Sequence, residues 1–423
     1  MRGAPGAGFA RPGRRLAASG NRALNGADRT RRDQTQPASG PPAALVLLTA
    51  AAAAAVSQAF GRFTFSLLYT EVRDDLALSN SRAGSLGSAN LAAYLAGTLA
   101  VSLLVGRAGL SRTTRIGLVG VTAGLLLLAW VPTLAAVVAG LVFTGFFAAG
   151  VWVTVPGIAA AQVGPERRGT AIGLVGAGIG LGIVIASLLD TVVPEGQWRW
   201  VYRVEAGLAV AITVGGLRWF RDRGAHRHGQ RGLAALRMVP GWGPLLGSYG
   251  LYGLGMSLMV TFLVAVLEED ANYSARAASL AFSCFGVGTI AGGPLFGPLA
   301  DRIGRARAMV GAYAIMASTA LVIASGLRPW ATIAAFLFGT AFTGIPTTVA
   351  ARMSDAMAAE DFGAAYGVAT LAFGAGLMIG PQLGGFLGDA TGSFRPVFWL
   401  AAAVAVAAGV LAAQPPPPPQ PGR

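Results

Sequence analysis

The chain has 423 residues, 54% of them hydrophobic and only 12% charged, about half the charged share of soluble globular proteins, and its mean hydropathy is +0.60. The net charge of +14 is carried wholly by arginine, since no lysine occurs, so a G-x-x-x-x-G-K-[ST] phosphate loop is excluded. A soluble domain is excluded too, and so is a β-barrel: the apolar runs exceed 18 residues and lack the short alternation of barrel strands.

Residues 1–41 hold eight arginines against two aspartates without a sustained apolar block. They are expected to form a disordered cytoplasmic arm, and the apolar core of a cleavable secretory signal is missing. Twelve apolar runs follow as predicted helices, at 43–69, 81–105, 115–132, 134–160, 169–190, 198–219, 243–267, 276–299, 308–326, 329–351, 364–388 and 394–413. Each is long enough to cross a hydrocarbon core of about 30 Å. The tail 414–423, with five consecutive prolines, reads as an unstructured extension.

An even number of crossings puts both termini on one side. One face collects 24 of the 32 arginines, so both termini are expected in the cytoplasm. That arrangement also accounts for the basic charge without nucleic acid as a partner; the lipid bilayer is the partner instead. The longest interior polar segment falls between the sixth and seventh helices. It divides the chain into an N-terminal bundle (42–219), a cytoplasmic central loop (220–241) and a C-terminal bundle (242–413). Arg82 and Arg276, Gly169 and Gly363, Gly173 and Gly367, Gly180 and Gly374, and Gly182 and Gly376 each differ by 194 positions. This shared offset predicts a parallel repeat of two six-helix halves.

GPLADRIGRARAM, residues 297–309, interrupts the apolar pattern between helices 8 and 9. It resembles the cytoplasmic loop motif of the major facilitator superfamily, G-x-L-a-D-r-x-G-r-r, at Gly297, Leu299, Ala300, Asp301, Arg302, Gly304 and Arg305. The resemblance covers about residues 43–413. It implies an all-α membrane protein of twelve transmembrane helices in two pseudo-symmetric six-helix bundles. It also implies secondary transport by alternating access, with this loop latching the bundles in one conformation. Gly297 is expected to allow close helix approach and Gly304 a tight turn. The first half has GRAGLSRTTR at 106–115, and the 194 offset sets Arg107 opposite Asp301, so the latch is expected to be one-sided. GLMIGPQLGG, residues 376–385, is similar to a glycine-rich exporter motif; Gly376, Gly380, Pro381, Gly384 and Gly385 would serve either helix bending or close packing. Residues 61–79 and 82–97 resemble the start of the YbfB/YjiJ-like branch.

Arg62 is the clearest ionisable residue inside a helix, and burying its charge in lipid is costly. Gln58, one turn earlier, shares its side. In the resembled family helices 1, 4, 7 and 10 line the cavity, so Arg62 is a candidate ligand for a carboxylate or other anionic group. The alternatives are a side chain that snorkels outward and one paired with a structural acid. Further substrate-binding candidates are Asn90 and Tyr94 on helix 2, Trp152 on helix 4, Tyr252 (with Tyr249) on helix 7 and Thr343 (with Thr347) on helix 10. Glu205 is the candidate for proton coupling, with Arg203 or Arg62 as its expected ion-pair partner. Expected partners are thus a small-molecule substrate and protons, the expected cargo is an organic anion or drug-like compound leaving the cell, and the chain is expected to act as a monomer in a bacterial inner membrane. His226 and His228 are the only histidines, and both fall in the central loop. No metal site, cofactor or catalytic centre is therefore expected. A polytopic enzyme and a non-transporting sensor or scaffold are the rival readings.

Overall fold

The structure is a computed structural model that describes residues 41–221, 236–237, 239–357 and 359–414. The expected N-terminal arm, most of the central loop with both histidines, and the proline-rich tail lie outside the described residues. Among the described residues, twelve helices are long and apolar enough to span a bilayer. In chain order they are α1 (Ala43–Leu67), α2 (Asn80–Ala108), α3 (Leu110–Trp130), α4 (Leu134–Ala160), α5 (Arg168–Val192), α6 (Arg199–Trp219), α7 (Trp242–Asp270), α8 (Ala275–Ile303), α9 (Arg305–Ser325), α10 (Trp330–Ser354), α11 (Ala359–Thr391) and α12 (Arg395–Ala413).

Helix starts follow side-chain chemistry. Ser79, Thr133 and Ser274 are extended residues whose hydroxyls accept from the backbone N–H three residues on, at 3.3, 3.2 and 3.3 Å. Each satisfies one of the orphan donors at a helix N-terminus. α1 ends earlier than the expected residue 69: Leu68 leaves helical geometry, and a separate short helix, Tyr69–Asp75, follows.

The polar stretches at 106–115 and 297–309, which separate the apolar runs, are mostly helix. α2 runs to Ala108 and α3 begins at Leu110, joined by Gly109 alone, with φ 81°. α8 runs to Ile303 and α9 begins at Arg305, joined by Gly304, with φ 93°. Only glycine adopts such a φ without a Cβ clash, so one residue suffices for each reversal. Gly304 thus makes the tight turn expected of it.

The same geometry corrects the repeat. Gly109 and Gly304 differ by 195 positions, as do the caps Ser79 and Ser274 and the positive-φ residues Ala77 and Asn272. Asp301 therefore stands opposite Gly106, not Arg107. The 194 offset came from one arginine pair and four glycine pairs, and arginine and glycine are frequent enough here to coincide by chance. Helices α1–α6 and α7–α12 form two six-helix bundles. α2 meets α11 and α5 meets α8 across their boundary, while α1 meets α7.

Candidate functional site

Sequence periodicity places Gln58 and Arg62 one turn apart, but the backbone carrying them is wider than an α-helix. Residues Ala55–Phe63 of α1 form a π-helical stretch, a rare winding concentrated at functional sites. Gln58 Oε1 accepts from Arg62 Nη1 at 2.6 Å. The Tyr94 ring of α2 lies under the guanidinium, 4.3 Å from its carbon, at cation–π distance. Arg62 is 8% exposed. It neither snorkels outward nor pairs with an acid, so both structural alternatives for this residue fall. Arg62 Nε and Gln58 Nε2 are buried without a partner.

The other candidates divide. Asn90 donates its amide to the carbonyls of Gly61 and Leu141, at 3.0 and 2.7 Å, and to the Thr144 hydroxyl at 3.1 Å. It ties α2 to α1 and α4 and is a brace, not a free ligand. Tyr252 donates to the Phe342 carbonyl at 2.5 Å and stacks on Tyr249 and Phe373. Thr343 donates to the Thr289 carbonyl at 2.9 Å. Trp152 is half-buried against the core. Of the seven substrate candidates, only Arg62, Gln58 and Tyr94 come together. Of the three, Arg62 borders a cavity of about 30 Å³, lined also by Ser66, Asn90, Ser257, Thr261 and Pro381. It has room for a water molecule or two, against about 300 Å³ or more for a typical ligand pocket.

Glu205 of α6 is fully buried. Neither Arg203 nor Arg62 pairs with it. Arg203 donates to the Ala129 carbonyl and covers the Trp200 ring. The Glu205 Oε1 accepts instead from Thr64 Oγ1 of α1 at 2.6 Å, and its Oε2 has no partner.

The boundary between the bundles is closed at one end and parted at the other. At the end away from the arginine-rich turns, Asp389 of α11 accepts from the Asn80 and Ser81 N–H groups that open α2, both at 2.8 Å. Asp190 of α5 accepts from Ser279 of α8. Thr70 donates to Glu268 at 2.8 Å, and Arg73 bridges to Glu269 at 2.6 Å. A Cβ on Gly84 would overlap the Pro381 carbonyl, and one on Gly385 the Asn80 carbonyl. At the arginine-rich end no such contact is made at glycines of the same four helices: a Cβ at Gly106 (α2), Gly173 (α5), Gly297 (α8) or Gly367 (α11) meets nothing within 4 Å. The close approach expected at Gly297 is therefore absent in this conformation.

The motif Gly376, Gly380, Pro381, Gly384 and Gly385 is a packing seam. Gly376 faces the Gly250 carbonyl, Gly380 Ser257 and Gly384 the Phe262 ring, all on α7, while Pro381 and Gly385 face α2. α11 runs unbroken through Pro381. Asp301 pairs with Arg305 four residues on, and Arg305 also reaches Asp355 at the end of α10 at 2.9 Å. All three belong to the C-terminal bundle. Arg302 is exposed.

The closed end carries a titratable group outside the spans. Burial, reinforced by Asp190, Glu268 and Glu195 and opposed by a bond from the Gly196 N–H, raises the Glu71 carboxyl to about 7. The folded chain then holds this proton where an unfolded chain has lost it. Stability should fall as pH rises from the ordinary value of 4.5 to about 7, and level off above that. Thermal unfolding of Glu71→Gln across this range should show a shallower slope; an unaltered slope would exclude Glu71 as its source.

A family model described as an uncharacterised MFS-type transporter, YbfB, matches residues 54–413. The chain belongs to this YbfB-type family of the major facilitator superfamily. It is accordingly an integral membrane transporter and not an enzyme. A probable transporter of Streptomyces coelicolor is 29% identical over 163 residues, 36% of this chain; the match spans only 37% of that relative's length. Among solved structures, the nucleoside transporter NupG superposes with a TM-score of 0.72 at 13% identity, over 87% of this chain and 98% of the other. A bacterial homologue of the human lysosomal transporter Spinster, solved inward-facing and unoccupied, gives 0.68 at 14% identity, over 88% and 95%. At these identities the likeness is one of fold. The YbfB-type transporter thus combines twelve spans, an arginine buried beside a neutral amide, and a bundle boundary shut at one end.

Proposed function

We propose that this transporter moves a small organic solute across a bacterial inner membrane by alternating access, with residues 42–219 and 242–413 rocking as two units of one monomer. The observation that carries this reading is the one-ended closure between α2 and α11 and between α5 and α8. Arginine distribution favours a cytoplasmic arginine-rich end and cytoplasmic termini. The conformation is then inward-open. The Asp301–Arg305–Asp355 network, confined to one bundle, is the released form of the latch.

Coupling is assigned to a proton on Glu205. Its carboxyl faces a hydroxyl through one oxygen and leaves the other unpaired, so a proton can come and go without breaking an ion pair. Thr64 links it to the end of the π-helical stretch that bears Arg62, so the winding of α1 connects the two groups. Purified protein in liposomes, given a panel of organic acids, sugars and drug-like compounds, should move at least one of them faster under an imposed pH gradient, and a protonophore should remove the gain. Failure to move any member would reject transport by this chain.

A further inference from the structure

The geometry points to an organic monocarboxylate as the solute, held by the free edge of the Arg62 guanidinium and the Gln58 amide; this rests on the transport reading above. A guanidinium stays charged at any physiological pH, and a charge kept from water without a counter-charge costs several kcal/mol. Arg62 stands in that position among the described residues. Its Nη1 is taken by a neutral amide oxygen and one face by the Tyr94 ring. Among the described residues no acidic side chain forms an ion pair with it. Glu205, an acid buried in the same bundle's interior, spends its bonded oxygen on Thr64.

What remains unsatisfied is Arg62 Nε, on the edge not used by Gln58, together with Gln58 Nε2. These are donors without acceptors, the complement of a carboxylate, whose two planar oxygens suit the guanidinium fork. The count of charges sets the valence. Arg62 is the sole cation at the site, so a monoanion neutralises it, whereas a dicarboxylate or phosphate dianion would bring a second, unmatched charge into the same low-dielectric space. The bordering Phe63, Phe65 and Met256 are apolar, which fits a hydrocarbon or aromatic body behind the carboxylate.

Thermal stabilisation of the purified full chain should be measured with matched pairs that differ only in charge: propionate and propionamide, butyrate and butyramide, benzoate and benzamide, phenylacetate and phenylacetamide, with succinate and inorganic phosphate as dianions. At least one monocarboxylate should stabilise the chain at tenfold or more lower concentration than its amide, and the dianions should not. Arg62→Ala should abolish the effect. Arg62→Lys, which keeps the charge and loses the fork, should weaken it at least tenfold while leaving the elution profile of the folded chain unchanged. Absence of stabilisation by every monocarboxylate, equal response to acid and amide, or an undiminished response in Arg62→Lys would each overturn the assignment. Movement of a sugar or neutral drug in liposomes, unaffected by Arg62→Gln, would sink the monocarboxylate alone and leave the transport reading intact.

Discussion

Gly84→Val should lower flux about a hundredfold and hold the transporter open at the end that is shut here. The reason is steric and local. A Cβ at Gly84 would overlap the Pro381 carbonyl, a backbone atom that cannot rotate aside, and Gly87 sits against the same proline one turn along. Overpacking of this kind costs typically 1–3 kcal/mol, and ~3 kcal/mol shifts a two-state population by about a hundredfold. The penalty falls on the closed form of this end only, because the clash disappears when α2 and α11 separate. Two measurements check it in a background where Cys284, the only cysteine of the sequence, has been replaced by serine. Flux in liposomes should collapse, and a cysteine introduced at Ser66, which borders the small cavity by Arg62, should become labelled by an impermeant thiol reagent added at the closed end. Loss of flux without new labelling would mean misfolding instead of a trapped conformation. Normal flux would show that α2 and α11 need not approach this closely.

Glu205→Gln should abolish accumulation driven by a pH gradient and leave solute exchange across the membrane running. Glutamine matches glutamate in shape, can still accept from Thr64 through its amide oxygen, and cannot release a proton. The substitution therefore separates carriage of a proton from mere filling of space. Uptake driven by the gradient should fall to the level seen with a protonophore, while counterflow between preloaded and external solute should stay within about twofold of the parent, a surface-like change of a few tenths of a kcal/mol. Gradient-driven uptake unchanged in this variant would remove Glu205 from coupling. Loss of both activities would make it a structural residue.

The twelve spans were legible because lipid leaves a chain little choice: apolar length and the demand that every backbone group find a partner dictate helices. The Gln58–Arg62 contact was legible for a related reason, since residues four apart share a helix face. What escaped were features that depend on distant residues or on backbone subtleties. The bond from Thr64 to Glu205 joins positions 141 apart, and periodicity carries no trace of it, so the sequence points instead to Arg203 or Arg62. The roles of Asp389 and Asp190 were hidden for the same reason; both were visible as acids at helix ends, but the N–H and hydroxyl groups they clasp belong to the other bundle. Asn90 looked like a polar stripe with Tyr94 and proved to be spent on three acceptors in α1 and α4. The latch motif was recognised by its residues, yet its reversal takes one glycine, because sequence shows where polar residues interrupt a run and not whether the helix continues through them.

The wide winding of α1 has a mechanical implication. Residues 55–63 hold more chain per turn than the segments on either side, so this stretch is stored length. Returning it to ordinary winding would push the flanking segments apart along the helix axis and turn the faces bearing Gln58 and Arg62 relative to Thr64, with almost every amide keeping an acceptor throughout. One strand of the machine can therefore extend and swivel like a ratchet spring while the paired helices tied at Gly109 and Gly304 travel as stiff levers.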